Sequence, residues 1–96
     1  MVKHIVLWNI KPECKAEADA YIEKIKGLLE ALVGVVPGLL KMEVAKNIRE
    51  GYDFGLYSEF ADKTALEGYI IHPEHKKAGE FVRSVVCDRA SLDFEI

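Results

Sequence analysis

The hydrophobic pattern of this chain predicts an α+β fold: a four-stranded antiparallel sheet with helices on one face. Three observations carry that expectation. Apolar residues alternate with period two over Val2 to Ile10, Leu39 to Ala45, Asp53 to Phe60 and Arg89 to Glu95. They recur at helical spacing from about Lys15 to Val33 and again on either side of Pro73. The resulting order, β-α-β-β-α-α-β, is the split βαβ pattern with its second helix broken by a proline.

Each element has a local reason. In the first strand Val2, His4, Val6, Trp8 and Ile10 share one face, while Ile5 and Leu7 lie on the other. Both faces are apolar, so the strand is expected to be central and covered on both sides. Lys11-Pro12-Glu13 ends it. The first helix carries Tyr21, Ile22, Ile25, Leu28, Leu29 and Leu32 as one stripe, with Gly34 as its cap. Leu40, Met42 and Val44 share a face of the second strand, and a loop containing Gly51 returns the chain as a hairpin. Phe54, Leu56, Ser58 and Phe60 form one face of the third strand. Asp62 caps the second helix. The third helix follows Pro73, and Leu92, Phe94 and Ile96 share a face of the last strand.

The chemistry is expected at Tyr69-Ile70-Ile71-His72-Pro73-Glu74-His75, which holds two of the three histidines. A residue before proline is pushed out of the helical region, so one helix ends by His72. Pro73 suits the first position of the next. His75 then sits in a first turn, where the helix dipole and burial should keep its imidazole neutral, below the usual value of about 6.5. Glu74 should point to water. A neutral imidazole can act as a general base, and the Tyr69 phenol can donate to a developing enolate oxygen. The plainer reading makes the histidines capping and surface residues and Tyr69 a core residue. His4 lies on an apolar face, as a satisfied core histidine or as a polar group in a cavity.

Composition limits the function classes. The chain has 96 residues, half of them hydrophobic and 30% charged, and reads as a single domain over 1–96. A net charge of −3 offers no basic footprint for nucleic acid. No apolar run approaches the roughly 20 residues of a membrane span. Cys14 and Cys87 lack metal or redox spacing, and the start of the chain lacks signal-peptide anatomy, so a cytoplasmic protein with reduced thiols is expected.

Val2 to Leu7, Val36-Pro37-Gly38 and Tyr69 to His75 together resemble the stress-responsive dimeric α/β barrel (Dabb) family, over essentially the whole chain. The resemblance implies a ferredoxin-like domain that pairs through its open sheet faces into a barrel-like homodimer, with a pocket between the sheets. The motifs also resemble the branch typified by olivetolic acid cyclase, which closes poly-β-keto thioesters by aldol condensation without a redox cofactor. That likeness implies His75 as base, Tyr69 as enolate-holding donor and His4 as a polarising wall. It implies a pocket lined by Val6, Trp8, Phe54, Leu56, His72 and Ala78. Trp8, Ala78 and Phe54 depart from the cyclase pattern, which puts the substrate rather than the fold in question. Family members can also hold magnesium on main-chain carbonyls, here those of Val33, Val36 and Leu39; no cofactor is otherwise required.

Two readings follow. One is a cofactor-free cyclase or lyase acting on a small polyketide-like carbonyl compound. The other is a non-catalytic stress-responsive protein that forms a stable oligomer or binds a small hydrophobic ligand. The discriminating feature is a pocket of at least ~300 Å³ on the sheet face, and a filled interior favours the structural role. The related monooxygenases and haem-degrading proteins share the fold, but no substrate or haem motif for them is present.

Overall fold

A computed structural model describes residues Met1–Ile96. The elements are β1 (Val2–Ile10), α1 (Ala18–Glu30), β2 (Leu39–Lys46), β3 (Phe54–Phe60), α2 (Lys63–Ile71), α3 (Pro73–Val85) and β4 (Val86–Glu95). The sheet order is β2-β3-β1-β4, with every neighbouring pair antiparallel. This is the ferredoxin-like α+β fold. No helix is long and apolar enough to cross a membrane.

Three boundaries differ from the sequence pattern, each for a local reason. Pro12 starts a 3₁₀ turn over Pro12–Glu17, so α1 begins at Ala18 rather than near Lys15. That helix ends at Glu30 with a right-handed cap at Ala31, and Gly34 lies beyond it in a turn at φ +90°. β4 begins at Val86, directly from α3, because Val86 and Cys87 already pair with Ile10 and Asn9. A bulge between Trp8 and Asn9 then shifts the register, with Asp88 in the left-handed region at φ +46°. Pro73 acts as expected. His72 is extended at φ −65°, ψ 134°, and serves as the end of α2 and the N-cap of α3.

The period-two assignment of β1 holds, but the place of the pocket does not. Val2, His4, Val6, Trp8 and Ile10 are all buried and face the helices. They join Ile22, Ile25, Leu29, Phe54, Leu56, Phe60, Leu66 and Val82 in one core. The bare face carries Ile5, Leu7, Tyr57, Leu92 and Phe94, whose register places them on the same side. The pocket therefore lies inside the protomer, between helices and sheet, and not between two sheets. With apolar residues on both sides of β1, alternation alone could not say which side the helices take. Ser58, fully buried, donates its hydroxyl to the His4 carbonyl at 2.8 Å and fixes β3 against β1 beside the site.

Candidate active site

A cavity of about 600 Å³ opens between the helices and the β1–β4 half of the sheet. Its sheet wall includes His4, Val6, Trp8 and Leu56, and its helix wall includes Tyr69, His75 and Val82. Helical geometry and the Pro73 break bring the two catalytic candidates together. Tyr69 points inward from the last turn of α2, and His75 returns over it from the first turn of α3. Their ring centroids are 3.9 Å apart, with planes inclined by 31°. Tyr69 also packs on Phe60 at 5.1 Å and on His4 at 6.1 Å.

Tyr69 is only 2% exposed, and its hydroxyl has no partner in the protein. No fully buried side-chain oxygen in the molecule is left without a hydrogen bond. The phenol oxygen therefore keeps contact with the cavity, where a ligand can take its proton in a hydrogen bond. Burial pushes the phenol pKa well above its ordinary range, with the Arg89 charge opposing, so it is a protonated donor at neutral pH.

Burial holds the His75 imidazole below its ordinary value. A hydrogen bond to the Ile70 carbonyl opposes the shift, while the nearby Arg83 guanidinium adds to it. His75 Nδ1 lies 3.4 Å from that carbonyl. With the proton on Nδ1, the Nε2 lone pair is free to accept another. Glu74 points away to a Lys77 partner at 3.3 Å, as the sequence suggested.

His4 Nδ1 hydrogen-bonds the Asp93 carboxylate. Asp93 orients a second imidazole whose ring meets Tyr69 and Phe60 edge-on. Sequence reasoning did not single out Asp93. The signal was available: Leu92 and Phe94 share the bare face, so Asp93 must lie on the other, and the register sets it opposite His4. The cavity mouth also holds Arg83 on α3 and Arg89 on β4, neither of which forms a recognisable motif.

Three expected lining residues lie elsewhere. Phe54 is buried behind Trp8, stacked on it at 5.2 Å. The His72 side chain turns back to accept the Glu74 N–H at 3.1 Å, since an extended residue before the helix is the natural N-cap. Ala78 is buried in the core under α3. The carbonyls of Val33, Val36 and Leu39 belong to the turn after α1 and the start of β2. The Val36 carbonyl already accepts the Leu39 N–H at 3.2 Å. No group of His, Cys, Asp or Glu side chains could hold a metal ion, so a cation in that turn would rest on neutral oxygens alone.

The family model for the stress responsive A/B barrel domain matches residues 2–96. The chain belongs to that family. No curated protein matches it. Among solved structures, it is similar to a dimeric protein of unknown function and ferredoxin-like fold from Bacteroides fragilis, at 33% identity and TM-score 0.90, covering 99% of this chain and 95% of that one. The fold is shared with a hydroxynitrile lyase from Passiflora edulis, at 15% identity and TM-score 0.83, covering 99% and 92%. It is also shared with SnoaB, a cofactor-independent oxygenase from Streptomyces nogalater, at 13% identity and TM-score 0.80, covering 99% and 91%. This A/B barrel domain thus has dimeric neighbours of unknown function and neighbours that are enzymes.

Proposed function

We propose that this A/B barrel protein is a cofactor-independent acid–base enzyme, a cyclase or lyase acting on a small polyketide-like carbonyl compound. The observation that carries the reading is the Tyr69 hydroxyl, unpartnered by the protein and set against the neutral imidazole of His75 at one cavity. In an aldol-type closure, His75 Nε2 takes a proton from the carbon beside the substrate carbonyl. The electron pair moves onto that carbonyl oxygen, and the Tyr69 hydroxyl donates to it as charge develops. The carbanion then attacks a second carbonyl of the same molecule, forming the carbon–carbon bond. The imidazolium returns its proton to the new alkoxide. His4, oriented by Asp93, lines the wall beside the phenol.

A non-catalytic role as a stable oligomer has no use for an open cavity of about 600 Å³. That size suits a small ligand and is twice the ~300 Å³ at which such sites begin. The active unit in this reading is a cytoplasmic homodimer formed through the bare sheet faces, as its dimeric neighbours suggest. A magnesium ion on the carbonyls of Val33, Val36 and Leu39 would take no part in the proton transfers.

The test is turnover of a linear poly-β-keto thioester by wild-type, His75→Ala and Tyr69→Phe proteins of verified fold. Each substitution should cost ~10²–10⁴-fold, the usual contribution of a general acid or base. Full activity of His75→Ala would remove His75 as the base.

A further inference from the structure

We propose that Arg83 and Arg89 form an anion site at the mouth of the cavity, so that the compound reaching Tyr69 and His75 carries a negatively charged group. The inference rests on the catalytic reading for the identity of the site, and adds the charge of its substrate.

The two guanidinium groups come from different elements and line one cavity. Arg89 lies on β4 in register with Trp8, and Arg83 lies in the last turn of α3. Arg83 folds back over Gly79, one turn earlier. A side chain at Gly79 would come within 2.9 Å of its Nη1, so the glycine leaves the seat the guanidinium uses. The ion pairs of the molecule are all made by lysine or by His4, and neither arginine takes part in one. Arg89 reaches only the Ser91 hydroxyl, at 3.4 Å.

Two carboxylates share the mouth, but both are engaged. Asp93 is held by His4, and Asp88 accepts the Asn9 amide at 3.1 Å and the Cys87 thiol. Two fork-shaped donors without a carboxylate partner, beside a cavity of mixed apolar and polar lining in a chain of net charge −3, are arranged for an anion. The fields of the arginines also reach the reactive groups: Arg83 acts on His75 and Arg89 on Tyr69. An anion between them would hold the carbonyl end of the same molecule near the pair. A carboxylate and the phosphate of a thioester carrier both satisfy this chemistry.

Trp8, the single tryptophan, lines the cavity and reports binding by its fluorescence. Octanoate, octanamide and coenzyme A are titrated into wild-type protein and an Arg83→Gln/Arg89→Gln double variant. Both positions are exposed, so the variant should fold, which circular dichroism checks. Octanoate should bind about tenfold or more tightly than octanamide and lose that advantage in the variant, as expected for charge-assisted hydrogen bonds. Octanamide should be unaffected. Arginine-dependent binding of coenzyme A without an octanoate preference would assign the anion to a carrier phosphate. If neither anion loses affinity in the variant, the inference is wrong. That outcome leaves the His75→Ala test untouched, and inactivity toward every thioester would leave the anion site standing, so the two claims fail separately.

Discussion

The His75 imidazole lies against the Tyr69 phenol across a break between two helices, with ring centroids 3.9 Å apart. Pro73 makes the contact possible. A continuous helix would set residues six apart on different faces, whereas the extended His72 reverses the chain so that α3 starts beside the end of α2.

The first prediction follows from the burial of that imidazole. Its folded pKa lies below its ordinary value, so the unfolded chain binds the proton more tightly. The stability linked to His75 is therefore present above ~6.5 and is lost as pH falls from there through the folded value. His75→Asn should flatten this part of the stability–pH curve, measured by urea unfolding between pH 7 and 5. NMR titration of the wild-type ring should place its midpoint below that of the exposed imidazole in an unfolded peptide. A midpoint above it would contradict the burial argument.

Strand periodicity, the helix stripe and the proline break made most of the fold legible, while the grouping of His4, Tyr69 and His75 was implied by the family resemblance. The covered side of the sheet was not legible, because Ile5 and Leu7 are as apolar as Val6 and Trp8. Nor was the place of Arg89, which depends on β4. That strand pairs with β1 across nearly the whole chain, through a bulge at Asp88 that no residue pattern announces. Phe54 and Ala78 show a further limit. Alternation assigns a residue to a face, but neighbours decide whether it lines a cavity or lies behind the residue that does.

Trp8 should set the depth of the cavity. It is stacked on Phe54 and is 8% exposed. Trp8→Leu should cost about 2 kcal/mol, since the void left by a shortened core side chain is only partly refilled. It should also favour longer ligands, shown by a rise in the affinity for octanamide relative to butyramide measured by calorimetry. Unchanged chain-length preference would mean that another wall limits the cavity.

Two glycines in the turn after α1 separate backbone strain from steric contact. Gly34 has φ +90°, and a Cβ there would meet nothing within 4 Å, so Gly34→Ala should cost about 1 kcal/mol of strain. Gly38 has φ +79°, and a Cβ there would lie 2.5 Å from the Ala65 Cβ on α2. Gly38→Ala should cost clearly more, about 3 kcal/mol, because strain and displacement of α2 add. Chemical denaturation of the pair checks the order. Equal costs would show that α2 moves freely away from the turn.

The last prediction concerns the bare face of the sheet. Cross-strand register sets Leu92 beside Ile5, and Phe94 beside Lys3, on the side away from the helices. Leu92 is 58% exposed and Phe94 37%, while Lys3 and Lys41 flank the Tyr57 ring next to them. A two-fold axis through this face would bury the same apolar strip from both copies and leave the lysines at its rim. Wild-type protein should therefore scatter light as twice 10.8 kDa at micromolar concentration. Leu92→Asp would place a carboxylate from each copy in the apolar strip, where desolvation is costly, and should give a folded monomer. A monomeric wild-type protein would rule out the pairing. A Leu92→Asp protein that stays dimeric would move the interface to another surface.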